Sequence, residues 1–175
     1  MNFPRNIAEI VAQVPVMPLT PGAPGPVSAN LEEAMLERLF GGVLIGNRTA
    51  AHCCRAGLLL RTGHIDAAHE IVQGIGTPDA SYWHAIVHRL DGDHANSLYW
   101  YRRAGDHPVF AALRVRAAEL AEHDPSIAAL TAAPSWDPAG FLACCRSGTD
   151  GSRQLAQAEW EFLFHHCFEK AASEP

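Results

Sequence analysis

The sequence predicts an all-α protein with a single domain built from antiparallel helical hairpins. Apolar residues recur at the three-and-four spacing of helix faces, and Gly, Pro and Asp clusters separate these segments cleanly. No run alternates polar and apolar residues for long enough to indicate a strand. A chain of 175 residues is long enough for one domain and too short for two comfortable ones.

Composition narrows the expected partners and the expected location. The chain has 13 basic and 19 acidic residues, a formal net charge of -6, and no run of Lys or Arg. We therefore expect neither nucleic acid nor an anionic membrane as a partner. The apolar runs are far shorter than the roughly 20 residues of a membrane span, and the first residues do not look like a signal peptide. These observations favour a cytoplasmic protein.

The cysteines do not form a recognisable disulfide or metal framework. The chain has five cysteines, an odd number: Cys53, Cys54, Cys144, Cys145 and Cys167. Four of them form two adjacent pairs, which lack the two-residue gap of zinc or redox motifs. We expect small buried thiols in a reducing compartment.

The chain divides into a Pro-rich N-terminal arm, residues 1–29, and an all-helical domain, residues 30–175. Residues 7–14 suit a short amphipathic helical turn, whereas the five prolines between positions 15 and 26 exclude a continuous helix. The arm is expected to be extended, lying either on the body or in solvent.

A first long helix is predicted at the start of the domain. Asn30 and Glu33 have the spacing of a capping box, and Gly41-Gly42 weakens the end of the helix. Its predicted apolar face comprises Leu31, Ala34, Met35, Leu36 and Leu39.

Six further helices follow, with a shorter, less regular piece between residues 125 and 134. Their expected ranges are 47–61, 65–75, 79–90, 94–104, 109–122 and 153–172. The last one carries a core-facing stripe of Trp160, Leu163, Phe164, Cys167, Phe168 and Ala171.

Two segments, 63–69 and 92–98, look like weak copies of each other. The second copy resembles a tetratricopeptide-type helical hairpin, with an aromatic residue in its first helix, Gly-Asp at the turn, an aromatic cluster and Ala in its second helix, and then Pro. The matching positions are Trp83, Gly92-Asp93, Tyr99-Trp100-Tyr101, Ala104 and Pro108. One degenerate repeat is not an array, so the resemblance implies a tetratricopeptide-like architecture only.

A second resemblance, over about half of the chain, is to a bacterial protein family with no assigned function. Its pattern is Trp-His-x-x-x-His-Arg, then Gly-Asp, Asn, Tyr-Trp, Arg and His-Pro. It falls here on Trp83-His84, His88-Arg89, Gly92-Asp93, Asn96, Tyr99-Trp100, Arg102-Arg103 and His107-Pro108. The similarity extends to Gly76-Thr77-Pro78, Trp136-Asp137-Pro138 and Glu159-Trp160-Glu161. It implies no particular activity.

The same segment holds the candidate functional residues. On the predicted 79–90 helix, His84, His88 and Asp91 share a flank beside a core face of Trp83, Ile86, Val87 and Leu90, because each residue advances the helix by about 100 degrees. A tight turn at Gly92 should place His88 near Asn96 and His84 near Trp100. Folding the preceding helix back should bring His69 close to His84. We therefore expect one small polar pocket lined by His69, Trp83, His84, His88, Asn96, Trp100 and Arg103.

Three interpretations of this pocket stay open. In the first, which we favour on sequence, the protein is a binding module for a small anionic molecule or a partner segment. Arg103 and Asn96 would then orient the ligand, and Trp83 or Trp100 would form an apolar wall.

In the second, His69, His84 and His88 bind zinc or iron in a metal-dependent enzyme, which leaves a position for water. Glu161 and His165, one turn apart on the last helix, are candidates to complete such a site. Against this, the chain has 10 histidines and no His-Glu-x-x-His pattern.

In the third, the polar residues are purely structural. Arg89, Arg102 and Arg103 would pair locally with Asp91, Asp93 and Asp106, and the aromatic residues 99–101 would belong to the core or to an interface. The sequence predicts no firm cofactor, and it leaves the ligand, the reaction and the oligomeric state open.

Overall fold

The computed structural model describes residues 3–13, 16–20, 31 and 35–173, and this part of the chain is helical without strands. Its helices are α1 (Arg5–Gln13), α2 (Leu36–Leu39), α3 (Arg48–Arg61), α4 (Ile65–Gln73), α5 (Pro78–Leu90), α6 (His94–Ala104), α7 (Val109–Ala121), a 3₁₀ turn (Pro125–Ile127), α8 (Ala128–Ala132), α9 (Pro138–Ser147) and α10 (Asp150–Ala172). The prediction of an all-α, single-domain fold is confirmed. The tetratricopeptide-like arrangement stays a prediction.

Most predicted helix boundaries are confirmed because their capping residues act as the sequence suggests. The side chains of Asn47, Thr77 and Asp93 accept hydrogen bonds from backbone N–H groups in the first turns of α3, α5 and α6. Gly63 and Gly92 have φ values of 87° and 82°, a conformation that favours glycine, and they make the turns after α3 and α5.

Other boundaries differ from the prediction. The Asn30–Glu33 capping box lies outside the described residues. The long helix predicted after it is wrong at Met35, which is extended, with φ −66° and ψ 139°, and 70% exposed. Helix α9 was not predicted, although Asp137 caps it through its side chain. Helix α10 begins at Asp150 rather than Arg153, because Thr149 caps it three residues earlier than expected.

The described part of the N-terminal arm lies on the helical body. Ile7 and Met17 are fully buried in the common core, and the Met17 N–H donates to Gln157 Oε1 at 2.6 Å. The Phe3 ring packs edge-on against Phe164, with 5.1 Å between ring centres. Of the two expected placements of the arm, the one on the body is therefore observed for these residues.

Helices α3 and α10 form the centre of the molecule as an antiparallel pair. Trp160 Nε1 donates to the Gly57 carbonyl at 2.7 Å, and the Gly46 N–H donates to the Ala171 carbonyl at 2.9 Å. Gly57 is required at this crossing, since a Cβ atom there would lie 2.7 Å from the Trp83 ring. Because Gly57 has no Cβ atom, α5 can pack directly against α3.

Helix α5 is enclosed by its neighbours. Every residue from 79 to 90 is buried, and α6 runs antiparallel to α5, with Ser97 Oγ donating to the Ala85 carbonyl at 2.8 Å. The polar side chains of α5 therefore lie inside the protein, where each needs a partner. Among the described helices, none combines the length and the apolar character needed to cross a bilayer.

Candidate functional sites along helix α5

Three histidines from two helices meet beside the α5–α6 hairpin. His69 on α4 places its Nε2 atom 2.8 Å from His84 Nε2. The rings of His84 and His88, one turn apart on α5, stack with 4.8 Å between their centres. The ring centres of His69 and His88 are 5.2 Å apart. One ligand atom from each ring lies within 4.8 Å of the other two. The predicted proximity of these residues is confirmed, and we call them the three-histidine cluster.

Helix α6 covers this cluster as the turn at Gly92 predicted. The Trp100 ring stacks on His84 at 3.8 Å between centres and 17° between planes. The Asn96 side-chain amide lies 3.1 Å from His88 Nε2. Arg103 is exposed, with its guanidinium 5.4 Å from the Trp100 ring centre.

Two groups of predicted site residues lie elsewhere. The Trp83 ring packs in the core beside Gly57, so it is not a wall of the expected pocket. Glu161 accepts a hydrogen bond from Gln157, and His165 lies near Glu169 and Phe3. The prediction that Glu161 and His165 complete the histidine site is therefore wrong.

The imidazoles of α5 are held in their neutral form. Burial, reinforced by the neighbouring His69 and His88, lowers the pKa of His84 to about 4. Burial and the neighbouring His69 also lower the pKa of His88, and the carboxylates of Asp93 and Asp91 offset this effect only in part. At neutral pH both rings can therefore offer a nitrogen lone pair.

The geometry is close to that of a three-histidine metal site. Tetrahedral zinc with Zn–N bonds of about 2.0–2.1 Å separates its ligand nitrogens by ~3.3 Å. The His69–His84 pair, hydrogen-bonded at 2.8 Å, would need to open by only ~0.5 Å to admit an ion. The other nitrogen separations, which reach up to 4.8 Å, would have to shorten by up to ~1.5 Å around the ion.

A second polar cluster lies at the other end of α5 and was not predicted. Asp79 Oδ1 lies 3.0 Å from His107 Nε2 and 3.1 Å from His166 Nε2. Lys170 Nζ donates to Asp79 Oδ2 at 2.5 Å. We call these four residues the Asp79 cluster. The four residues are far apart in the sequence, so helical spacing could not predict their contact. The one available signal was an Asp directly after Pro78, in a helix whose other residues were expected to be largely buried.

The tautomer of His107 shows how the Asp79 cluster is bonded. His107 Nδ1 accepts the Val109 N–H at 3.3 Å, so its proton is on Nε2, which donates to Asp79. Burial alone would raise the pKa of Asp79, but the hydrogen bonds from His107 and Lys170 outweigh it and hold that pKa well below its usual value. Asp79 is therefore an anion with its donors in place. Since the His107 Nε2 lone pair is unavailable, this arrangement is a hydrogen-bond network and not a set of metal ligands.

The buried arginine of α5 also has an unexpected partner. Arg89 pairs with Glu159 of α10 at 2.6 Å, and both side chains are almost fully buried. Tyr101 donates to the other Glu159 oxygen at 2.6 Å. The expected local pairing of Arg89 with Asp91 is wrong, because Arg89 lies on the side of α5 that faces α10. Tyr101 belongs to the core as the structural interpretation expected, whereas Tyr99 is exposed.

The five cysteines are free and buried, as predicted. Burial raises the pKa values of Cys54, Cys145 and Cys167, which keeps these thiols protonated and unreactive. In comparisons with known proteins, no family model, no curated protein and no solved structure matches this chain.

Proposed function

We propose that this protein binds a divalent transition metal ion, zinc or iron by ligand chemistry, through His69, His84 and His88. The observation that carries the proposal is the convergence of three imidazoles from two helices, with ligand atoms within 4.8 Å of one another. Neutral imidazole is a good ligand for both metals.

The charge state of the cluster favours a metal ion over an anion. Cationic donors bind anionic ligands most strongly, but burial lowers the pKa values of His84 and His88 and keeps both rings uncharged. Arg103, the cation expected to orient such a ligand, is exposed, with its guanidinium 5.4 Å from the Trp100 ring centre. A direct anion site, the reading favoured by sequence, is therefore the weaker proposal.

The hydrogen bonding of His84 favours a metal ion over a purely structural role. One of its nitrogens contacts His69, while Nδ1 is buried and has no partner within the described part of the chain. Burying a polar atom without a partner costs about 1–3 kcal/mol, so a cluster selected for stability alone would be expected to satisfy it. The His84 Nδ1 lone pair is therefore available to a ligand.

Three protein ligands leave one tetrahedral position for water or an anion, which is the pattern of catalytic zinc. When bound, the ion would supply Lewis acidity at that position. With its amide turned so that Oδ1 faces the ring, Asn96 would accept the second N–H of a metal-bound His88, as outer partners of such imidazoles do. A small anion as the fourth ligand is consistent with the binding-module interpretation. The buried thiols suit the cytoplasmic location predicted from sequence.

The test is a cobalt and zinc titration of untagged protein stripped with a chelator. We expect a single Co²⁺ ion per chain, with the strong visible absorption of a tetrahedral site. His69→Gln and His88→Gln should abolish this spectrum, whereas the control His123→Gln, on an exposed surface, should leave it unchanged. A wild-type protein that binds no stoichiometric metal, or variants that bind like wild type, would overturn the proposal.

A further inference from the structure

A cavity of about 390 Å³ lies beside the Asp79 cluster, between the start of α7 and the C-terminal half of α10. Its apolar wall includes Val109, Ala112 and Phe162, and its polar side includes His166 and Glu169. The volume falls within the range of small-molecule sites, which are mostly apolar with a few placed polar groups.

His166 connects this cavity to the buried carboxylate. Its side chain is 27% exposed, and its Nε2 lies 3.1 Å from Asp79 Oδ1. Because Asp79 is an anion, Nε2 carries the proton and the Nδ1 lone pair stays available. Within the described residues, Nδ1 has no hydrogen-bond partner.

The carboxylate partner is itself firmly placed. Asp79 also receives hydrogen bonds from His107 and Lys170, which fix its orientation and keep it ionised. An imidazole whose one nitrogen donates to a fixed carboxylate has a defined tautomer, and the carboxylate stabilises the imidazolium that forms when the other nitrogen takes a proton.

We propose that His166 is a general base that accepts a proton at Nδ1 from water or a hydroxyl group, acting on a small, largely apolar molecule held in this cavity. Asp79 is the positioning residue. With an ester, the water oxygen forms a bond to the carbonyl carbon while its proton moves to Nδ1. The alcohol or phenol then leaves with the electron pair of the broken C–O bond and recovers that proton, directly or through solvent.

The surrounding charges suit this role. Burial lowers the pKa of His166, Asp79 opposes that effect, and His107 and Lys170 add to it, so the ring is neutral at pH 7. His165 and Glu169 are the other titratable groups that line the cavity. They are one turn apart on α10, with His165 Nδ1 3.5 Å from Glu169 Oε2. Because the ring is unprotonated at pH 7, its lone pair is available there, as a general base requires.

The experiment measures hydrolysis of p-nitrophenyl acetate by the full chain with excess chelator present, so that the three-histidine cluster takes no part. We expect His166→Gln to lower the protein-dependent rate at least about tenfold, since positioned general bases contribute about 10²–10⁴. Ala112→Phe, which fills the cavity from an exposed position, should lower it similarly. The control His123→Gln, the same substitution at an exposed position outside the cavity lining, should retain the wild-type rate.

The positioning role of Asp79 is read from the pH profile. Asp79→Asn should move the midpoint of the rate to lower pH, because the ring loses the carboxylate that favours its protonated form. If this variant does not fold, His166→Gln and Ala112→Phe still decide the proposal. An unchanged rate in His166→Gln, an equal loss in His123→Gln, or a stable acetyl group on His166 would overturn general-base catalysis at this site.

Discussion

The two ends of helix α5 hold histidines in opposite ways. At its N-terminal end, His107 and His166 both face one carboxylate, Asp79, which a lysine also contacts. Further along, the polar partners of His84 and His88 among the described residues are the His69 imidazole and the Asn96 amide. A carboxylate partner fixes a ring proton on the nitrogen that faces it, whereas a histidine cluster without a carboxylate leaves lone pairs to share.

This difference separates proton chemistry from metal chemistry. The Asp79 cluster contains two histidines and a carboxylate within metal-binding distance, yet both Nε2 atoms facing Asp79 carry protons, and the His107 Nδ1 lone pair accepts the Val109 N–H. Within the described residues, no carboxylate is hydrogen-bonded to the three-histidine cluster, and the buried His84 Nδ1 has no partner. Proximity alone therefore does not identify a metal site, and the hydrogen-bond partners of each ring nitrogen are needed as well.

The largest expected effect is on the stability supplied by the Asp79 cluster. Asp79→Ala leaves His107 and Lys170 without their acceptor, and we expect a loss of about 3 kcal/mol in the free energy of unfolding. Urea denaturation measures it. The control Asp150→Ala removes an exposed pair with Arg153 and should change stability by less than about 1 kcal/mol. Equal losses in the two variants would mean that the Asp79 cluster contributes no more to stability than an exposed ion pair does.

Acid unfolding should separate the clusters by pH. The folded pKa of His84, about 4, lies below its ordinary value of 6.5, so the unfolded chain binds the proton more readily. Stability is then full above pH 6.5 and falls by up to ~1.4 kcal/mol per pH unit as the pH drops towards 4. The pKa of Asp79 is also lowered, so its contribution is present above its ordinary value of 3.8 and is lost only below that.

The check is urea denaturation at a series of pH values. His84→Gln should flatten the dependence between pH 6.5 and 4 while leaving the loss below pH 3.8 intact. A wild-type slope in that variant would mean that other groups cause the pH dependence.

Much of this contrast could be predicted from the sequence where the contacts are local. The His84–Trp100 and His88–Asn96 pairs follow from helical spacing and a turn at Gly92. The His69–His84 contact needed only one more short connection. Helical periodicity and capping residues are sufficient for such neighbours.

The rest depends on how α10 packs against distant helices, which local patterns do not encode. Asp79 and His166 are in contact although 87 positions separate them in the sequence. Arg89 of α5 and Glu159 of α10 are likewise in contact although four α-helices lie between theirs in the sequence. The spacing rules of one helix made Asp91 the obvious partner for Arg89, and the sequence had no signal to favour Glu159. The same limit applies to the placement of Glu161 and His165.

A smaller effect is expected from the outer partner of the metal ligands. Asn96→Ala removes the amide that contacts His88 and should weaken Co²⁺ or Zn²⁺ binding by about tenfold, the lower end of the range for such partners. Competition with a chromogenic chelator measures the affinity. Ser173→Ala, an exposed position near the end of α10, is a control that should bind metal like wild type. An unchanged affinity in Asn96→Ala would remove Asn96 from the site.

The most direct test is a crystal structure grown with zinc and recorded at the zinc absorption edge. A single strong anomalous peak about 2.0–2.1 Å from nitrogens of His69, His84 and His88 is the predicted result. A peak between Asp79, His107 and His166, or none at the three-histidine cluster with zinc in excess, would contradict the assignment of metal and proton chemistry to opposite ends of α5.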